Sequence, residues 1–149
     1  MEIEYTTTPN PQDLDYLTQK INEETPYKEG AEPFAFYIRD DSNTIIAGCS
    51  GEVMFGVVYT GLLWVHPNYR QQGLARQLME QVHQHGAQMG CHIASILTMS
   101  FQATRGFYER LGYTCDLERH GYIDHSSCLF FKKELVSCHN HRANPNCER

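Results

Sequence analysis

Apolar residues recur at helical spacing near the start of the chain. Leu14, Leu17 and Ile21 are three and four residues apart, which places them on one face of a helix. Asn10 followed by Pro11 favours a helix start here, because an asparagine side chain caps free N–H groups and proline suits the first turn. A second helix is predicted from residue 73, and a short third one within ATRGFYERLG.

Alternating or continuous apolar residues predict strands between and after these helices. FAFYIRD alternates, as a strand with one covered face does, whereas CHIASILTM is apolar or small on both faces, as a covered central strand requires. The predicted strands are EIEYTTT, FAFYIRD, TIIAGCSGEVM, GVVYTGLLWV, CHIASILTM, YTCDLERH and SSCLFFKKEL.

The order of these elements predicts an α+β fold. Strands come first, a strand-helix-strand-helix segment follows, and strands return at the end, so we expect a mixed sheet with helices on its faces. The strand-helix-strand unit should place its two strands side by side and parallel. No linker or repeat divides the chain, which predicts a single domain over residues 1–135 and a flexible tail over residues 136–149.

Composition narrows the class of protein. With 149 residues, 41% hydrophobic and 20% charged, the chain is typical of a globular protein, and no apolar run reaches the roughly 20 residues of a membrane span. An acidic start without an apolar core and six scattered cysteines favour a cytoplasmic protein with reduced thiols.

Charge is unevenly distributed. The net charge is −6, and residues 1–41 hold ten acidic against three basic residues. This distribution argues against a nucleic-acid partner, since the basic stripe that phosphate backbones require is missing. It suits a cationic partner such as an amine, and a solvated acidic face explains it equally well.

One corner of the predicted fold has residues that packing does not require. A strand leads into VHPNYRQQGLAR, and the second helix follows. Backbone N–H groups at a helix start lack partners within the helix and bind anions when no side chain blocks them. Gly73 and Ala75 clear that approach, while Arg70 and Arg76 add positive charge. The corner is built like a phosphate site, although neither the dinucleotide fingerprint nor the P-loop pattern is present.

These residues resemble a motif of the GNAT acyltransferase superfamily. Its motif A has the core R/Q-x-x-G-x-G/A, and here that core is Arg70-Gln71-Gln72-Gly73-Leu74-Ala75. About 33 residues downstream, ATRGFYERLGY is similar to motif B, where a Phe-Tyr pair and a later Gly-aromatic pair recur. The resemblance covers roughly residues 35–134.

The resemblance implies a GNAT-like fold, with a mixed sheet of six to seven strands flanked by three to four helices. It also implies acyl transfer from acetyl-CoA to a primary amine of a small molecule or peptide. The pantetheine arm would run between the strand ending at Val65 and the strand beginning near Cys91, and Trp64 and Val65 would pair with it. The residues expected to hold the diphosphate are Arg70, Gln71, Gln72, Gly73, Leu74, Ala75 and Arg76.

The family's pattern also suggests proton-transfer roles. Tyr108 matches the motif-B tyrosine, to which protonation of the departing thiolate is commonly assigned. The alternative is that Phe107 and Tyr108 only pack the last helix onto the sheet. The acidic residue that many members carry before motif A is absent, because Thr60 and Gly61 occupy its place. Glu52 is the first substitute as general base, directly or through a water, and an exposed strand carboxylate is the other interpretation.

Other polar residues have open roles. The motif-B asparagine is absent, and Ser100 or Gln102 is expected to contact the pantetheine arm instead, with helix capping as the alternative. Histidine is a common proton-transfer residue, but the place of His66 at a strand end favours shaping the turn. His120 and His125 lie near the last hairpin, which often borders the acceptor site in the family.

Two further functions and the assembly are left open. A CoA-binding sensor or interaction module on the same fold would explain the absent strand acid. The tail residues Cys138, His139, His141 and Cys147 could bind a metal, but their spacing matches no standard zinc pattern, so we predict no metal. Because family members often pair, a homodimer is one expected assembly.

Overall fold

The computed structural model describes residues 3–26 and 30–136. The chain separates into two compact units, residues 1–30 and residues 31–149. The single domain over residues 1–135 stays a prediction, and the predicted tail lies outside the described residues from residue 137 onward. Among the described residues, no helix is both long and apolar enough to cross a bilayer.

The first unit contains helix α1 (Pro11–Glu24), which confirms the predicted helix and its start. Asn10 Oδ1 accepts a hydrogen bond of 3.0 Å from the N–H of Gln12. The strand predicted over residues 2–8 is wrong, because residues 3–8 form no strand. There the N–H of Thr8 donates to Thr6 Oγ1 at 3.0 Å, and such local side-chain bonds compete with a strand ladder.

The second unit is built on a mixed sheet of six strands in the order β1-β2-β3-β4-β6-β5. β3 and β4 are parallel, and the other neighbouring strands are antiparallel. This confirms the predicted meander and the parallel pair that follows it. The strands are β1 (Glu32–Arg39), β2 (Ile45–Met54), β3 (Val57–Val65), β4 (Ile93–Met99), β5 (Thr114–His120) and β6 (Ser127–Glu134).

Helices α2 (Leu74–Gln88) and α3 (Arg105–Arg110) accompany this sheet. α2 is the crossover between β3 and β4, and its side toward the sheet includes buried Met79 and Val82. Gly86 is also buried, and a Cβ there would lie 2.6 Å from Val58 Cγ1, so glycine permits the close approach of helix and sheet. With three helices and six strands in the described chain, the expected α+β architecture is confirmed.

The hydrophobic core lies on one face of the sheet. Val58, Ile96 and Phe131 belong to this core face, and each is at most 3% exposed. Side chains alternate along a strand, so Leu62 and Leu97 point to the opposite, open face, where they are 70% and 55% exposed. The core face therefore packs against α2 and α3, which hold several of the predicted site residues, including Tyr108.

Candidate functional site

β3 and β4 pair over only part of their length. Parallel pairing joins residues 57–60 to residues 93–96, and in the described chain it ends at Thr60 and Ile96. Beyond that point β3 stays paired with β2 as far as Val65, and β4 with β6 as far as Met99. A strand gap therefore opens between residues 61–65 and residues 97–99, at the carboxyl ends of two parallel strands.

A β-bulge in β3 marks the start of the strand gap. Gly51 pairs with Thr60, but the preceding residue of β2 pairs with Leu62, so Gly61 is the extra residue. A bulge bends its strand and increases the twist, which accounts for β3 leaving β4 here. Gly51 makes the bulge possible, because a Cβ there would lie 1.8 Å from the carbonyl oxygen of Tyr59.

The loop before α2 presents backbone N–H groups. Gln71 and Gly73 have φ angles of 61° and 80°, so the chain turns in the left-handed region just before the helix. The N–H of Gln77 donates to the Gly73 carbonyl at 3.0 Å, whereas the N–H groups of residues 71–76 have no hydrogen-bond partner among the described residues. A Cβ on Gly73 would meet no atom within 4 Å. Open space in front of free N–H groups is what an anion requires.

Two arginines flank this loop, and each is anchored within the protein. Arg70 Nε donates to the Val65 carbonyl at 3.0 Å, which ties the loop to the end of β3. Arg76 Nε donates to Glu80 Oε1 at 2.9 Å on an exposed face of α2. The Glu80 carboxylate offsets part of the positive charge of Arg76. Arg70 is therefore the better placed of the two arginines to attract an anion to this loop.

His66 has the contacts of a turn residue. Its Nδ1 accepts a hydrogen bond of 3.2 Å from the N–H of Asn68, in the short 3₁₀ turn that follows β3. Its ring meets Trp64 and Tyr69 edge-on, with centroids 5.9 and 5.7 Å away. These contacts favour the structural role over proton transfer.

Tyr108 is buried in α3, with 6% of its surface exposed. Its ring contacts Phe107, Tyr113 and Phe131 at centroid distances of 5.1, 5.8 and 5.6 Å. Burial raises the pKa of its phenol, so the proton stays on the oxygen at neutral pH. The hydroxyl is thus kept in the form that can donate a proton or a hydrogen bond.

α3 is held in place by contacts with the two last strands. Arg105 Nη2 donates to Glu118 Oε2 of β5 at 2.8 Å. Lys133 Nζ of β6 donates to the Leu111 carbonyl at 2.6 Å, just beyond the helix. Both ends of this short helix are therefore fixed, and so is the ring of Tyr108 that it carries.

A half-buried tyrosine–histidine pair close to Tyr108 was missed by sequence reasoning. The Tyr113 hydroxyl and His83 Nε2 of α2 are 2.8 Å apart. Burial lowers the pKa of His83 to about 4, and the positive charge of Lys133 adds to this effect while Glu80 opposes it. Burial also raises the pKa of Tyr113, so the phenol donates and the neutral imidazole accepts. The Gly-aromatic pair of motif B pointed to Tyr113, but no local pattern connects it with His83.

Glu52 and Tyr108 lie on opposite faces of the sheet. Glu52 is exposed and pairs with Tyr59 of β3, and its neighbour Val53 is buried on the core face. Tyr108 packs on Phe131 of the core face. The structure therefore places Glu52 on the open face, beside the bulge, and does not bring it into contact with Tyr108.

Ser100 and Gln102 bind other protein groups. Gln102 Oε1 accepts hydrogen bonds from Thr98 Oγ1 at 2.6 Å and from the N–H of Met99 at 2.9 Å. Ser100 Oγ accepts one of 3.0 Å from the N–H of Ser127. These bonds favour the structural interpretation, and contact with a pantetheine arm stays a prediction.

The remaining candidate side chains are two exposed histidines and four residues of the tail. His120 ends β5 and His125 lies in the turn before β6, and both are exposed. Within the described ranges, no three His, Cys, Asp or Glu side chains are grouped to hold a metal ion. The tail residues of the metal hypothesis lie outside those ranges: Cys138, His139, His141 and Cys147.

Residues 2–113 match the model of the Acetyltransferase (GNAT) family. This match covers most of the chain, and it includes the strand gap, the loop before α2 and Tyr108. The chain therefore belongs to the GNAT acetyltransferase family.

Two curated relatives are acetyltransferases. An acetyltransferase of Agrobacterium fabrum is 38% identical over 77 residues, which are 52% of this chain and 56% of the relative's own length. The blasticidin-S acetyltransferase of Streptomyces morookaense is 32% identical over 92 residues, which are 60% of this chain and 67% of that protein.

Solved structures share the fold. A proposed acetyltransferase from Agrobacterium tumefaciens superimposes with a TM-score of 0.79 at 24% identity, covering 91% of this chain and 100% of that one. A proposed streptothricin acetyltransferase from Bacillus anthracis, solved with acetyl coenzyme A, has a TM-score of 0.64 at 15% identity, covering 73% of this chain and 66% of that one. These likenesses agree with the six-stranded mixed sheet.

Proposed function

We propose that the protein transfers an acetyl group from acetyl-CoA to a primary amine of a small molecule or a protein. The observation that carries the proposal is the junction of an open helix start with a gap between two parallel strands. Membership of the acetyltransferase family and a structural neighbour solved with acetyl coenzyme A support this choice of donor.

The loop before α2 fits a diphosphate. The N–H groups of residues 71–76 have no partner among the described residues, and the dipole of the 15-residue helix adds partial positive charge. Gly73 leaves the approach open, whereas any Cβ-bearing side chain there would enter that space. Arg70, anchored at the end of β3, adds a full positive charge.

The strand gap fits an extended amide chain such as the pantetheine arm. Its edges are backbone groups of residues 61–65 and 97–99, which face no partner strand across the gap. An extended ligand can pair with such an edge as an added strand does. Trp64 and Val65 are the gap residues closest in sequence to the loop before α2, which we call the diphosphate loop. They are therefore the residues expected to pair with the arm.

Acetyl-CoA supplies an activated acyl group, and the protein's part is to orient it and to handle protons. Tyr108 keeps its phenolic proton at neutral pH and can give it to the departing thiolate. On the open face, Glu52 or a water that it holds takes the proton of an amine arriving from that side. The two groups thus act from opposite faces of the sheet.

A CoA-binding sensor without catalysis is the alternative. Thr60 and Gly61 occupy the strand position of the usual acid, and Glu52 is exposed rather than enclosed in a pocket, which favours this alternative. Both functions need the same CoA-binding residues, so binding alone does not separate them.

Thiol release from acetyl-CoA, measured across a panel of amines, separates the two functions. The panel begins with blasticidin S, because a relative carries that name, and continues with amino-acid amides and peptides with free amino termini. We expect release with at least one amine. Tight CoA binding without release for any amine in the panel would favour the sensor.

A further inference from the structure

Thr60 is a buried polar residue without a hydrogen bond. Its side chain is 6% exposed, and Oγ1 has no partner among the described residues. The other buried polar side chains are all bonded: Thr98 to Gln102, Ser126 to the Ile123 carbonyl, and Ser127 to Glu118. A buried hydroxyl without a hydrogen bond destabilises a folded protein. Such groups are rare in native proteins, so the Thr60 hydroxyl requires a physical explanation.

Thr60 lies where the paired part of β3 ends and the strand gap begins. It is the last residue of β3 that pairs with β4, and the bulge residue Gly61 follows it. A group inserted between the separating strands would meet this hydroxyl first at the closed end of the gap. Thr60 is therefore placed where the reactive end of a ligand in the gap would lie.

Thr60 and Tyr108 share the core face of the sheet. Thr60 pairs with Ile96 and Ile96 with Phe131, so the three residues form one row across β3, β4 and β6. Tyr108 packs on Phe131, with ring centroids 5.6 Å apart. Neighbouring strands are about 4.8 Å apart, so the backbone of Thr60 lies about 10 Å from that of Phe131, on which the Tyr108 ring packs. Both hydroxyl-bearing side chains thus lie on the same face of the sheet, near the strands that border the gap.

Packing alone would favour valine at this position. Val58, two residues earlier on the same face, is fully buried in the core. Valine has nearly the shape of threonine and leaves no hydroxyl to be satisfied. The hydroxyl has no partner among the described residues of the ligand-free protein, and a ligand in the strand gap would supply one.

We propose that the Thr60 hydroxyl binds the acyl group of the bound thioester, donating a hydrogen bond to its carbonyl oxygen. This inference rests on the proposed function, since it requires acyl-CoA in the strand gap. A thioester carbonyl is a good acceptor, whereas the thiol of free CoA is a weak one. Thr60 thereby makes the site prefer acyl-CoA to CoA, which favours exchange of product for donor.

The test compares Thr60→Val, which removes the hydroxyl, with Thr60→Ser, which keeps it. Calorimetry measures the affinity for acetyl-CoA and for CoA, and a thermal melt measures the stability of the ligand-free protein. We expect Thr60→Val to weaken acetyl-CoA binding about five- to tenfold and to change CoA binding less than about twofold. We expect the ligand-free melting temperature of the same variant to rise by about 2–5 °C.

The serine variant serves as the matched control. It should keep its preference for acetyl-CoA over CoA within about twofold of the original, because its hydroxyl is retained. An equal loss of both affinities in Thr60→Val, or a lower melting temperature, would overturn the inference and assign the hydroxyl to packing or to a buried water. If the unmodified protein binds neither acetyl-CoA nor CoA, the proposed function itself fails, which is a separate and recognisable result.

Discussion

The two halves of the β3–β4 pair differ in their hydrogen bonding. Residues 57–60 and 93–96 hydrogen-bond to each other, and Val58 and Ala94 are fully buried among them. Past the bulge, the same two strands separate, and Leu62 and Leu97 of the open face are mostly exposed. One half stabilises the sheet, whereas the other leaves backbone edges that we propose a ligand pairs with.

The difference shows that a change of register can open a gap between two neighbouring strands of one sheet. One extra residue, Gly61, separates the strands, and Gly51 opposite it makes room. The gap lies at the carboxyl ends of parallel strands, next to a helix start, where ligands bind in many α/β sheets. The separated half should therefore respond to ligand and the paired half should not.

The largest expected effect is on CoA affinity, from a change in the loop before α2. Gly73→Glu places a side chain and a negative charge in front of the N–H groups of residues 71–76. We expect CoA affinity to fall by about 100-fold or more, because like charges repel at an anion site. Calorimetric titration with CoA measures the change.

Gly90→Glu is the matched control for this change. Gly90 follows the same helix at its other end, has a φ of 78° and would also meet no atom within 4 Å of a Cβ. Both variants carry the strain of a left-handed non-glycine residue, about 1–2 kcal/mol. Equal CoA affinities of the two variants would contradict the placement of the diphosphate.

The next largest effect concerns proton transfer. Tyr108→Phe should keep CoA binding and lower turnover about tenfold or more, because the departing thiolate loses its acid. Tyr113→Phe is the control, since that hydroxyl is already bonded to His83. Steady-state rates with an accepted amine measure both, and unchanged turnover in Tyr108→Phe would remove its acid role.

The bulge itself can be tested through stability. Gly51→Ala would force a Cβ to 1.8 Å from the Tyr59 carbonyl oxygen, so we expect a loss of about 2–4 kcal/mol in the free energy of unfolding. Gly61→Ala, on the facing strand, would meet its nearest atom at 3.9 Å and should cost less than about 1 kcal/mol. Denaturant titration compares them, and a reversed order would contradict the described register.

A smaller effect is expected from acidification. The pKa of His83 is lowered to about 4, whereas an unfolded chain has an ordinary histidine pKa of about 6.5. Between these values the unfolded state binds a proton that the folded state does not, so stability falls as pH falls from about 6.5 to 4. His83→Gln keeps an acceptor for Tyr113 and cannot titrate in this range. Its melting temperature should drop less than that of the original protein between pH 7 and 5, and equal drops would contradict the buried neutral state.

Local patterns were sufficient to predict most of the elements. The stripe of Leu14, Leu17 and Ile21 predicted α1, and the small residues around Gly73 marked the start of α2. The parallel pair followed from the strand-helix-strand order. The strand predicted over residues 2–8 was wrong because β-branched residues form a strand only beside another strand. Thr6 and Thr8 bond to each other instead.

The rest depends on contacts between residues distant in sequence. The hydrogen bond between His83 and Tyr113 spans 30 positions, and the bulge at Gly61 exists only in the register between β2 and β3. The unbonded hydroxyl of Thr60 is defined by its neighbours in space, so it has no signature in a linear pattern. Sequence reasoning therefore singled out the corner before α2, Tyr108 and the position of Thr60, whereas the bulge and the unbonded hydroxyl appear only in the folded chain.

Amide hydrogen exchange with and without saturating CoA tests whether the loop before α2 and the strand gap together bind CoA. We expect slower exchange within residues 61–65, 71–76 and 97–98 when CoA is present, because the ligand pairs with the N–H groups that face the strand gap or the helix start. Residues 57–60 and 93–96 should change little, since they are already paired with each other. Unchanged exchange in the three separated segments at saturating CoA would contradict the claim that the diphosphate loop and the strand gap form its binding site.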